Sequence, residues 1–324
     1  MKAFVKHRYG PPAVLRLEEV ERPVPTDEQV LVRVHASSVN AHDWHMVRGK
    51  PYIARLSEGL RRPKDPAIGL DVAGIAAEVG SAVTHVKVGD RVFGSRYGAF
   101  AEYVAGKNMI AMPANATFEQ AAAVPTAGYT ALQGLRDKGG LEPGQRVLIN
   151  GAGGGVGTMA IQIAKALGGE VTAVTSAPKA ELVRSIGADH VIDHTSTDVT
   201  RTNHRYDLVL DIGGNHGLGG MMRILAPGGR VVLVGPGGGQ WVGPILRVAG
   251  AFVRTRFGAH PVRAFLAEPN REDLGYLREL MERGRLRPVI QRTYQFQSIP
   301  EAIAHVESGR AQGKVVVTHR VPAA

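Results

Sequence analysis

Residues 146–167 read Arg-Val-Leu-Ile-Asn-Gly-Ala-Gly-Gly-Gly-Val-Gly-Thr-Met-Ala-Ile-Gln-Ile-Ala-Lys-Ala-Leu. A short apolar run leads into a glycine-rich turn, and apolar residues then recur at helical spacing. Ala152, Gly154 and Gly157 stand at the three small positions of a dinucleotide-binding fingerprint, with Ala for the first glycine. Small side chains there allow a sharp turn, close approach of backbone to a pyrophosphate and tight helix packing. The N-terminus of the following helix offers unpaired N–H groups to phosphate. Gly153, Gly154, Gly155 and Val156 are therefore candidate cofactor contacts. Glycine turns also merely punctuate folds, and this chain has 41 glycines. The strand before the turn and the amphipathic helix after it favour binding.

Such a loop needs a sheet to hold it. From about residue 121 onward, strand candidates at 147–150, 170–175, 190–193, 208–211 and 230–234 alternate with helix candidates at 156–167, 179–186 and 218–225. That alternation predicts a Rossmann-type doubly wound parallel sheet with helices on both faces. The preceding residues are rich in Val, Gly and Pro, with short runs such as 29–35, 91–93 and 100–104 between turn signals. They read as β-rich, barrel-like material. The chain ends in an apolar strand at 314–318, expected to return to the first domain. The fold class is α/β, divided as 1–120, 121–265 and a returning segment 266–324.

The 324 residues, 44% hydrophobic and 21% charged, suffice for two domains. No run of about 18 apolar residues occurs, so no membrane span is expected. The first nine residues look like a strand and lack the apolar core of a signal peptide, which makes a cytoplasmic location the expectation. With no cysteine, disulfides, thiolate metal sites and thiol nucleophiles are excluded. The net charge of +10 has two readings, a solvated arginine-rich surface or attraction to an anionic ligand. No nucleic-acid-binding signature accompanies it, so nucleic acid is not an expected partner.

Several short motifs recur in a telling order: Gly-Leu-Asp-Val-Ala-Gly at 69–74, Val-Gly-Asp-Arg-Val at 88–92, Gly-Ala-Phe-Ala-Glu-Tyr at 98–103, Gly-Ala-Asp-His-Val at 187–191 and Gly-Lys-Val-Val-Val at 313–317. With the glycine loop among them, the chain resembles the medium-chain dehydrogenase/reductase superfamily, and within it the zinc-independent quinone oxidoreductase-like branch. The resemblance implies a GroES-like catalytic domain, a Rossmann cofactor domain and a cleft between them. Zinc members hold their metal with Cys, His and a Cys or acidic residue. Here Asn40, Leu70 and an alanine near Ala123 match those positions, so no metal is expected. His35, His42, His45 and Asp43 lie close in sequence, but proximity alone defines no metal site. His45 matches a cleft-lining position in relatives.

The end of the second strand of the predicted sheet, Thr-Ser-Ala-Pro-Lys at 175–179, lacks the acidic residue of NAD-specific sites. Ser176 can donate a hydrogen bond and Lys179 can supply charge. In relatives such a Ser and Lys, with an aromatic residue at the position of His194, surround a 2′-phosphate; the alternative makes Lys179 a solvated helix-start residue. NADPH is the expected cofactor. Asn40 is the leading candidate for chemistry, as a donor to the nicotinamide ribose or a substrate oxygen, with a structural amide as the alternative. Tyr52 matches a segment where relatives carry a Tyr donor, but an exposed or packing Tyr is equally open. The resemblance further places Thr130, Gly235, Arg310 and Gln312 along the cofactor. The expected function is NADPH-dependent reduction of quinones or activated carbon–carbon double bonds. A metal-free carbonyl or alcohol oxidoreductase, or a non-catalytic NADPH- or RNA-binding relative, are the alternatives. The alternating run at 251–257 suggests an edge strand that pairs two copies into a homodimer.

Overall fold

A computed structural model describes residues 1–234 and 261–319. The chain divides into two units, Met1–Ala127 together with Pro269–Ala324, and Gly128–Glu268. Residues 121–127 thus go with the first unit and not the second. One reason is local: the Thr126 N–H and hydroxyl both donate to Asp71 of the first unit.

The first unit opens with strands β1 (Lys2–Val5), β2 (Arg16–Glu19), β3 (Val30–Val39) and β4 (Asp71–Val79). β5 (Arg91–Ser95), β6 (Tyr103–Gly106) and β7 (Met109–Ala111) follow. The second unit contributes β8 (Arg146–Asn150), β9 (Glu170–Thr175), β10 (His190–Asp193), β11 (Tyr206–Asp211), β12 (Leu225–Val234) and β13 (Val262–Phe265). β14 (Ile290–Gln295) and β15 (Lys314–Thr318) return to the first.

In the second unit the strand order is β10-β9-β8-β11-β12-β13, with every pair parallel. Counted from β8, that is the 3-2-1-4-5-6 order of a doubly wound dinucleotide fold. Val147, Leu148 and Ile149 are all buried, as a continuous apolar strand covered on both faces must be. The order reverses between β8 and β11, and ligands of such sheets bind beyond the strand ends at that point.

The first unit is built on a sheet of order β14-β15-β3-β4-β5-β7, with β6 also paired to β3. Its pairs are antiparallel apart from β14 with β15. Strand 100–104 is shorter than expected: β6 begins at Tyr103, because Phe100 N–H is turned to the Ile68 carbonyl and Ala101 makes only an isolated bridge to Ala3. Two registers set the surroundings of Asn40. β3 runs antiparallel to β15 with Val39 opposite Val315, and to β4 with Ser38 opposite Asp71. Lys314 and Asp71 are therefore delivered to either side of the end of β3, where Asn40 comes next in the chain.

Candidate functional site

The glycine loop leaves β8 through Gly151, whose φ of +86° favours glycine. The N–H groups of Gly151 and Ala152 both donate to Val174, tying the turn to β9. Helix Gly155–Ala166 follows, capped by Gly154. A Cβ on Gly157 would lie 2.4 Å from the Gly151 carbonyl oxygen, so the helix packs on the loop only with glycine there. A Cβ on Gly154 would meet nothing closer than 3.6 Å, which leaves its surface open to a ligand. Gly155, Val156 and Gly157 occupy the first helical turn, whose N–H groups have no helical acceptor. This cradle fits a dinucleotide pyrophosphate.

The ends of β9 and β10 complete that half. His194 N–H donates to the Thr175 carbonyl, which sets His194 beside Ser176. Ser176 caps a short 3-10 turn, Ala177–Lys179. Lys179 folds back over the loop: a Cβ on Gly153 would meet its Cδ at 2.6 Å. It is half-buried, and burial lowers the pKa of its ammonium. It also stands at the N-cap of helix Ala180–Ser185. Sequence reasoning missed Asp193, a carboxylate at the end of β10. Its Oδ1 accepts from the Thr195 N–H and hydroxyl, and Ala177 N–H also donates to it. The Thr195 hydrogen bonds hold this carboxyl below its usual range. Also missed was a polar knot at the switch point. Asn150 Nδ2, at the end of β8, donates to Asp211 Oδ1 at 2.7 Å and to Asn215 Oδ1 at 2.8 Å. Position at the ends of the two strands where the order reverses was the signal available for it.

In the first unit, Asn40 lies within a buried network. Asp71, 0% exposed, accepts at Oδ2 from Ser38 Oγ and Asn40 Nδ2, both at 2.9 Å. Its Oδ1 takes the Thr126 N–H and hydroxyl at 3.0 and 2.6 Å. Lys314, 2% exposed, donates to Asn40 Oδ1 at 2.6 Å and stands 3.6 Å from Asp71. Lysine only donates and a carboxylate only accepts, so the Asn40 amide has one permitted orientation. Burial lowers the pKa of Lys314, while the Asp71 and Asp43 carboxylates oppose the shift. One Asn40 N–H is thus committed to Asp71, and the amide retains a second.

Asn40 also begins helix Ala41–Arg48, where its N–H donates to Asp43 Oδ2 at 2.6 Å. Asp43 is 1% exposed, and its Oδ1 has no partner among the described residues. Burial, against the Asn40 hydrogen bond, raises its pKa from the usual 3.8 to about 7. An acid with a raised folded pKa binds its proton more tightly when folded. Its contribution is fully present below about pH 4 and declines as pH rises through 7. Asp43→Asn keeps an acceptor for Asn40 and removes the titration. It is expected to flatten the stability profile between pH 5 and 8 and to match or exceed the parent at pH 8, read by urea unfolding. An unaltered pH slope in the variant would count against this assignment.

The other sequence candidates are scattered more widely. Tyr52 is half-buried at the start of a 3-10 turn, with the Arg55 guanidinium 4.8 Å from its ring centre. His45 stacks on Trp44 and donates from Nδ1 to the Lys50 carbonyl at 2.9 Å. Thr130 is half-buried on helix Pro125–Leu132. Exposed Arg310 and half-buried Gln312 precede β15, with Gln312 N–H held by Gln291 Oε1. Gly235 and the run at 251–257 lie outside the described residues. Among the described residues, no group of three or more His, Cys, Asp or Glu is placed to hold a metal.

Comparison with known proteins agrees with this architecture. Residues 26–132 match the alcohol dehydrogenase GroES-like domain family, and residues 186–317 match the zinc-binding dehydrogenase family. A 2-methylene-furan-3-one reductase from Solanum lycopersicum is 33% identical, over 99% of this chain and 80% of that protein. The quinone oxidoreductase from Coxiella burnetii superposes with a TM-score of 0.86 at 31% identity, covering 99% of each chain. The Escherichia coli quinone oxidoreductase, solved in complex with NADPH, gives 0.83 at 26% identity over 98% of this chain and all of that one. The chain belongs to the medium-chain dehydrogenase/reductase superfamily, in its quinone oxidoreductase-like branch. The zinc implied by one family description does not fit these residues. Asn40, Leu70 and Ala123 offer an amide, an isobutyl group and a methyl group, and the amide oxygen is already taken by Lys314.

Proposed function

We propose that this protein is an NADPH-dependent, zinc-independent reductase of quinones and of carbon–carbon double bonds conjugated to a carbonyl. The observation that carries the reading is the Lys179 side chain packed on Gly153, which keeps a lysine at the glycine cradle, at the end of a strand without a ribose-binding carboxylate. The relatives named as quinone and methylene-furanone reductases, one of them solved with NADPH, support it.

A bound nicotinamide supplies hydride. The chain's residues bind and orient. The N–H groups of Gly155 and Val156 in the first helical turn would hold the pyrophosphate, and Gly154, where a Cβ would meet nothing closer than 3.6 Å, leaves room for it. Ser176, Lys179 and His194 donate to the 2′-phosphate, while Asp193 keeps its oxygen lone pairs turned to Thr195 and Ala177. Thr130, in the unit that carries the glycine cradle, is the contact we assign to the nicotinamide end. The second Asn40 N–H, and Tyr52, donate to oxygen as charge develops there. With no zinc ligand at Asn40, Leu70 or Ala123, an unactivated alcohol has no help in losing its proton, so substrates with an already electron-poor carbon suit these neutral donors. The proposed assembly is a homodimer, tested by light scattering at micromolar concentration, where a monomer mass contradicts it.

The reading is tested by following NADPH and NADH oxidation across quinones, enones and aldehydes. One charge-assisted contact is worth about 1.5–3 kcal/mol, or roughly ten- to a hundredfold in affinity. NADPH is expected to bind more tightly than NADH by that factor, and Lys179→Ala to erase the difference. Equal affinity for the two cofactors, or an unchanged preference in Lys179→Ala, removes the phosphate assignment.

A further inference from the structure

Lys6 comes directly after β1 and is 1% exposed. A buried ammonium ordinarily has a carboxylate beside it. Among the described residues this one forms no ion pair; its single hydrogen bond runs from Nζ to the hydroxyl of Tyr97, at 3.0 Å. Lysine has three protons to donate and accepts none. Tyr97 is therefore the acceptor in that bond, and its own O–H has no acceptor among the described residues. Two ammonium protons and one phenol proton are left without an acceptor among the described residues. On the Lys6 side a pocket of about 530 Å³ opens, lined by Lys6, His7, Arg62, Pro63, Lys64 and Pro66, with Tyr97 one hydrogen bond behind Lys6.

Backbone hydrogen bonds fix Tyr97 near the polar network of Asn40. On either side of it, Arg96 N–H donates to Leu70 and Gly98 N–H to Gly69, immediately before Asp71. The ring of His42, two residues after Asn40, meets the Tyr97 ring edge-on at 6.5 Å. His42 is within electrostatic reach of both Lys6 and Asp71. The donor pair and the Asn40 network thus flank the same helix N-terminus.

We propose that Tyr97 and Lys6 form a donor pair for the carbonyl oxygen of the substrate. Tyr97 gives that oxygen a hydrogen bond and then its proton, and Lys6, a positioning residue, holds the phenolate that results. This rests on the protein being the proposed reductase. For an enone, hydride joins the β-carbon and the π electrons shift onto oxygen. The Tyr97 O–H bond breaks toward that oxygen, giving the enol, which tautomerises to the ketone in solvent. The phenolate, held by the Lys6 ammonium, recovers its proton from solvent. Burial, reinforced by the carboxylates of Glu58, Asp65 and Asp43, raises the Tyr97 pKa, so the phenol enters the cycle protonated. The same carboxylates favour the charged form of Lys6 against the desolvation that lowers its pKa.

The test uses the full-length protein, methyl vinyl ketone as substrate and 4-nitrophenolate as a mimic of the anionic oxygen. Loss of a hydrogen bond to a charged oxygen predicts a fall in kcat of roughly ten- to a hundredfold in Tyr97→Phe and in Lys6→Met. Cofactor affinity should not change. The double variant should be no slower than Tyr97→Phe alone, since the two residues act as one unit. Nitrophenolate binding should weaken at least tenfold in each variant. Unchanged kcat in Tyr97→Phe overturns the proposal however the probe behaves, and so does equal probe binding by parent and Tyr97→Phe. If the parent reduces no enone while probe binding still requires both residues, the donor pair stands and the reductase reading fails.

Discussion

Lys314→Met is expected to destabilise the protein by about 3–5 kcal/mol, the cost typical of breaking a buried ion pair from one side. The variant nearly conserves volume, so the loss is electrostatic. It leaves the Asp71 carboxylate, fully buried, without its cation, and strips Asn40 Oδ1 of its donor. The remaining donors to Asp71, from Ser38, Asn40 and Thr126, are neutral dipoles and do not balance a full charge. Pairing Lys314→Met with Asp71→Asn removes both charges and is expected to restore about half of the lost stability, since desolvated pairs contribute little net energy. Urea unfolding of the parent, both single variants and the double variant supplies the cycle. A Lys314→Met protein within about 1 kcal/mol of the parent would show that the ammonium is not compensating Asp71.

Asn40→Ala is expected to cut turnover on quinones about a hundredfold, because removing one donor to a developing oxyanion costs roughly 2.7–4 kcal/mol in comparable sites. The structure adds a second consequence. The amide joins Lys314 to Asp71, so its loss also leaves two buried groups short of a hydrogen bond. A stability loss of about 1–3 kcal/mol is expected alongside the kinetic one. The two are separated by assaying well below the melting temperature and by titrating cofactor fluorescence. Contacts to the glycine cradle lie in the other unit of the chain, so affinity for the adenosine end of the cofactor should survive. Unchanged kinetics with lowered stability would leave Asn40 a purely structural amide.

Much of this protein is legible in its sequence because much of it is local. The apolar run of β8, the glycine turn and the helical spacing after it each depend on residues a few positions apart, and the helix appears as Gly155–Ala166. The order of strand and helix candidates likewise carried the doubly wound sheet, since right-handed crossovers admit few alternatives. Substitution of the three metal-ligand positions was readable one residue at a time.

Which distant groups meet is a matter of the folded chain. Asn40 was legible as a polar residue at a ligand position, but its partner Lys314 lies 274 residues away. Only the antiparallel register of β15 on β3 brings them together, and a slip of one residue would have turned Lys314 to the other face. Asp43 looks like any helix-start carboxylate until burial shifts its proton affinity. Asp193 escapes a reading of the second strand because it comes from the third, carried alongside by the parallel pairing of β10 with β9. Lys6 and Tyr97, 91 residues apart, belong to no motif at all. Secondary structure is encoded in periodicities along the chain, whereas hydrogen bonds and charge pairs are made across it. The order of residues therefore carries the scaffold and the cofactor loop, and folding alone assembles the polar network of Asn40, Asp71 and Lys314.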